Sequence, residues 1–145
     1  MAVELFEEHA AMLEAAEKFL AAIKRTPRPS IDEVNRLRMR LSSLIRQHSV
    51  TEDEHIYGPL MRQGGFDKLP ELEPIVQKLR RQKAEYSEHI RKWTPQAIER
   101  DWEGYVAACE IRVAAFKRIL RDEEASVYQA VLGLGPREMP TRLRR

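Results

Sequence analysis

The chain has 145 residues, 43% of them hydrophobic and 33% charged, which suits one globular domain and excludes a disordered chain. Its 25 basic and 23 acidic residues nearly cancel, so bulk charge does not mark a nucleic-acid binder. No apolar run reaches the roughly 18 residues a membrane helix needs, no basic, apolar leader opens the chain, and the single Cys109 excludes an internal disulfide or a cysteine-rich zinc site. A cytoplasmic protein is the expectation.

From Val3 to Lys24 the apolar residues Leu5, Phe6, Met12, Leu13, Ala16, Phe19, Leu20 and Ile23 recur at intervals of three and four, which predicts a helix. Thr26-Pro27-Arg28-Pro29 ends it, because proline cannot continue a helix. Ser30-Ile31-Asp32-Glu33 reads as a capping box that opens a second helix. Val34, Leu37, Leu41, Leu44, Ile45, Ile56 and Leu60 carry that helix to about Arg62, where Gly64-Gly65 stops it. A third helix starts near Leu69-Pro70-Glu71 and follows Ile75, Val76, Leu79, Gln82, Tyr86, Ile90 and Trp93. Thr94-Pro95 is a second cap, and a fourth helix runs from about Gln96 to Leu132, closed by Gly133-Leu134-Gly135-Pro136. No alternating β pattern is present. Four amphipathic segments with short connections predict an all-α, antiparallel up-down-up-down four-helix bundle over residues 1–135. Residues 136–145, with Arg137, Arg142, Arg144 and Arg145, form a basic tail. The tail reads as a solvated end, and nucleic-acid binding through it is the less favoured alternative.

The chemistry lies in what interrupts the apolar stripes. His48, Glu52 and His55 are spaced by four and three residues, so one helical face carries all three, and Leu41, Leu44, Ile56 and Leu60 assign that face to the core. A carboxylate buried there is costly unless it is paired or binds a metal. His9 lies on the stripe of the first helix, His89 on that of the third, and Glu123 on that of the fourth, so all four histidines of the chain occupy core stripes. Of the run Asp122-Glu123-Glu124, Glu123 is the acid expected to face inward. The chain also repeats weakly: residues 44–57 parallel residues 115–128, and Phe6-Glu7-Glu8-His9 parallels Tyr86-Ser87-Glu88-His89. Two readings stand side by side. The inward residues are metal ligands, as in bundles that carry metal sites, or they form a buried polar layer that fixes helix register. Cys109 reads as a small buried hydrophobe and Tyr57 and Tyr128 as packing residues. Trp93 and Trp102 read as caps on the end of the bundle. No nucleophile triad and no phosphate-cradling glycine loop occurs, so an enzyme is not expected.

In order along the chain, His9, His48-Ser-Val-Thr-Glu52, the step Tyr57-Gly58-Pro59, His89 and Glu123-Glu124 resemble the motifs of the hemerythrin-like (HHE cation-binding) domains. The resemblance spans His9 to Tyr128. It implies a hemerythrin-like bundle with a non-haem site of one or two iron ions, manganese or zinc being alternatives. It also implies O2 or NO as the small ligand. The metal ligands it implies are His9, His48, Glu52, His89 and Glu123, with Glu85 and His55 as further candidates. Two positions depart from the pattern: Ile119 stands where the fourth-helix histidine belongs, and Glu85 where some members carry a second third-helix histidine. These departures sustain the alternative of a metal-free bundle that serves as an interaction or regulatory module for a protein partner.

Overall fold

All the secondary structure in the computed structural model, which describes residues 2–134, is helical. The basic tail lies outside the described residues. Helix α1 covers Ala2–Lys24 and α2 covers Ile31–Glu52. The serine half of the capping box forms: Ser30 Oγ accepts a hydrogen bond from the Glu33 amide at 3.2 Å, while the Glu33 carboxylate accepts from Arg25 Nη2 at 2.7 Å. The helix then widens into a π-helical turn, Asp53–Tyr57, before α3, Gly58–Arg62. In that turn the Gly58 amide donates to Asp53 O, and a Cβ at position 58 would lie 2.7 Å from the same oxygen, so the close approach needs glycine. Gly64, at φ 110°, turns the chain into the short α4, Gly65–Lys68.

A 3₁₀ turn, Pro70–Leu72, leads into α5, Glu73–Lys92. Thr94 Oγ1 accepts from the Ala97 amide and opens α6, Pro95–Arg100. The long helix expected from Gln96 is interrupted here. Asp101 leaves helical geometry and uses its carboxylate to cap Gly104 N at 3.0 Å, starting α7, Trp102–Glu123. A second π-helical turn, Glu124–Tyr128, leads into α8, Gln129–Leu132, and Gly133 at φ 64° closes the run. The two wide turns follow Glu52 and Glu123, equivalent positions of the sequence repeat.

Helix α1 packs on α2 and α7, and α5 packs on α7. Two apolar clusters hold these helices. One joins Leu5 and Phe6 to Ile56, Leu60, Leu72, Val76, Val127 and Tyr128. The other joins Phe19 and Ile23 to Val34, Trp93, Ile98, Tyr105 and Cys109. Phe6 and Phe19 are thirteen residues apart, so the clusters are separated by roughly 20 Å along α1. Each buried large apolar side chain contributes about 1.5–3 kcal/mol, and together they clamp the middle layer from both sides.

Candidate metal centre

That middle layer is polar. His9 sits one turn beyond Phe6 on α1 and is fully buried. His48 and Glu52, one turn apart at the end of α2, and Glu123, the last residue of α7, are buried with it. One ligand atom from each of these four residues lies within 4.8 Å of all the others. His48 Nε2 stands 2.9 Å from Glu52 Oε2, and His9 Nε2 stands 3.3 Å from Glu123 Oε1 and 3.6 Å from Glu52 Oε2.

Two tyrosines cross this cluster. The Tyr128 hydroxyl donates to Glu52 Oε2 at 2.5 Å, and its oxygen lies 2.9 Å from His9 Nε2 and 3.3 Å from His48 Nε2. Tyr57 donates to Glu123 Oε2. Each tyrosine, five residues beyond the glutamate of its own half, thus bonds the glutamate of the other half. Carboxylates also hold the outer imidazole nitrogens. Glu8 Oε2 lies 3.0 Å from His48 Nδ1, and Glu124 Oε2 lies 3.2 Å from His9 Nδ1. The hydrogen bond to Glu8 orients the His48 ring and the ion-pair contact with Glu124 holds His9, leaving Nε2 of both directed into the cluster.

The electrostatics follow from burial and like charge. Burial disfavours the His9 imidazolium, but contacts with Glu123, Glu124 and Glu52 outweigh it and raise its pKa to about 11. His48 shows the same balance: burial lowers it, and Glu52 and Glu8 raise it further than burial lowers it. Glu52, against burial, is held well below the usual carboxylate range by His48 and His9. Glu123 is pushed up by burial and by the neighbouring Glu52 charge. With neutral imidazoles and ionised carboxylates the buried Glu52, Glu123 and Glu124 would carry three negative charges in a dry interior, which is costly without compensation. Protons can supply that compensation, and a divalent cation can supply most of it. Glu123 Oε1 is buried without a hydrogen bond, the kind of orphaned acceptor a cation would satisfy. Two imidazoles and two carboxylates also suit iron, manganese or zinc. The donor set therefore fits a divalent ion.

The other expected ligands lie elsewhere. His89 is half-buried, with Nε2 3.9 Å from Cys109 Sγ and its ring stacked on Tyr105 in the second apolar cluster. Burial, with Arg38, Arg112 and Lys92 nearby, lowers its pKa to about 4. Cys109 lies fourteen residues before Glu123 on α7. That offset is roughly 21 Å of helix, so His89 does not join the cluster. Glu85 is bound instead by Arg112 Nη1 at 2.8 Å, and His55 sits at the rim, 3.9 Å from Glu54. Conversely, Tyr57 and Tyr128, read as packing residues, belong to the polar layer. Glu124 is also buried, because the wide turn lets two consecutive acids face inward. Glu8, the residue before His9, had no signal beyond that adjacency.

No protein-family model, curated protein or solved structure matches the chain. Among the described residues no helix is long and apolar enough to cross a membrane.

Proposed function

We propose that the chain is a hemerythrin-like metal-binding protein. In this reading the four helical runs form an antiparallel bundle, and His9, His48, Glu52 and Glu123 hold non-haem iron for binding or sensing O2 or NO. The observation that carries the reading is the convergence of these four buried side chains within 4.8 Å. A resident iron ion would supply the redox-active centre for a diatomic ligand. The protein's own residues orient the imidazoles through Glu8 and Glu124, anchor the acids through Tyr57 and Tyr128, and keep bulk water out. One ion is favoured over two, because Ile119 is apolar where the repeat would need a second imidazole one turn before Glu123.

One observation favours a second reading, a metal-free polar layer in an interaction module. The Tyr128 hydroxyl already stands within hydrogen-bond distance of three of the candidate ligands. Anaerobic reconstitution with Fe(II), followed by elemental analysis beside a His48→Ala control, decides between them. About one iron per chain, absent from the control, is expected. Iron no higher than in the control would overturn the metal reading and leave the polar layer.

A further inference from the structure

A cavity of about 640 Å³ opens beside the polar layer, between α2, α5 and α7. Leu41 and Ile45 of α2, Leu79 and Ile90 of α5, and Phe116 and Ile119 of α7 form its apolar walls. It exists because α2 and α5, unlike α1 and α2, are not closely packed, and because small side chains such as Ser42, Ser49 and Ser87 line the gap. Its only acids are Glu52 and Glu123, both buried in the candidate metal centre. Beside the buried His48, its bases are Arg46, Lys83, Arg91 and Arg112. Glu88 and Glu85 pair with the two last, whereas Arg46 and Lys83 are exposed and make no ion pair among the described residues.

We infer that this cavity binds a small amphipathic anion, a medium-chain carboxylate, with its chain between the apolar walls and its head at Arg46 and Lys83. Size and charge choose the occupant. The volume falls within the roughly 300–1,000 Å³ of small-molecule sites. A Ser42 Oγ···Tyr86 OH hydrogen bond of 2.7 Å ties α2 to α5 across the gap, so a partner helix about 10 Å wide has no room. An uncharged apolar ligand would leave the unpaired cations unexplained. A cationic amphiphile would meet repulsion at the mouth and is rejected.

The cavity borders the candidate metal centre, but the head-group contacts at Arg46 and Lys83 are not among its ligands, so the test uses the full chain after chelation. Calorimetric titration with decanoate should give one saturable site per chain. Decyltrimethylammonium, with the same chain and the opposite charge, should bind at least about tenfold more weakly, a difference of about 1.4 kcal/mol. The double variant Arg46→Glu/Lys83→Glu should lose about tenfold or more for decanoate, and Ile45→Trp should weaken binding by crowding the apolar wall. If Ile45→Trp fails to fold, the double variant at exposed positions still decides. Absence of saturable binding overturns the inference, as does equal affinity for the two head groups or indifference to the charge reversal. Binding to anionic vesicles without binding to monomeric decanoate, or a dimer that occludes the cavity, overturns it equally.

Discussion

The two halves of the molecule treat one design differently. The first, α1 and α2, delivers His9, His48 and Glu52 to the polar layer. The second, α5 and α7, delivers Glu123 alone and places Leu79 and Ile119 nearby, where they line an apolar cavity. The wide turn and its tyrosine survive in both halves, so the difference lies in side chains and not in backbone. It teaches what an apolar residue one turn before a buried acid does locally. Glu123 has an oxygen without a hydrogen bond, and Ile119 lines an apolar cavity beside it.

The harshest way to break the comparison is to remove the acid of the complete half. Glu52→Ala strips the acceptor of both His48 and Tyr128 and should cost the chelated protein about 3–5 kcal/mol in urea unfolding. A loss below about 1 kcal/mol would show that the layer is not electrostatically coupled. Tyr128→Phe deletes only the hydroxyl and should cost about 1–3 kcal/mol, measured in the same way. Tyr57→Phe should cost less, because Tyr57 is only partly buried. Making the halves alike sharpens the contrast instead. Ile119→His introduces an imidazole one turn before Glu123 and should tighten Fe(II) about tenfold in a competition titration with a chelator. Unchanged affinity would mean that the second half has no latent ligand position.

The smallest effect concerns the histidine that stays outside the layer. His89 titrates near 4 in the folded chain and near 6.5 when unfolded, so between those values the unfolded state binds more protons. Its contribution is therefore complete above about pH 6.5 and is lost as the pH falls toward 4. The half-exposed ring keeps the effect modest. The difference in melting temperature between the native chain and His89→Gln should accordingly change between pH 7 and pH 5. A difference that stays constant would show that the ring is solvated.

Helix starts and stops were legible where a side chain carries the signal, as Ser30 and Thr94 do in their caps and Gly64 and Gly133 do at positive φ. The inward faces were legible too, since periodicity reports direction around the helix axis. Periodicity is silent on depth along the axis, and this is why His89 lies on the expected face yet stands beside Cys109, about four turns of α7 away from Glu123. It also assumes one period throughout. The π-helical turns break that assumption, so the burial of Glu124 and the inward hydroxyl of Tyr128 were hidden. The interruption at Asp101 was missed because an aspartate within a helical pattern gives no warning that it will cap a new helix.

The crossed tyrosines have a consequence for how the layer comes into being. Each half carries the hydroxyl that the other half's acid requires, so neither hairpin can complete its own acid in isolation. Cut in the connection between α4 and α5, the two pieces would each hold a glutamate lacking its tyrosine partner and a tyrosine lacking its acceptor. Mixing them would supply both at once. Assembly of the layer thereby reports the docking of the halves, in the manner of two complementary fragments that regain together what each lacks alone.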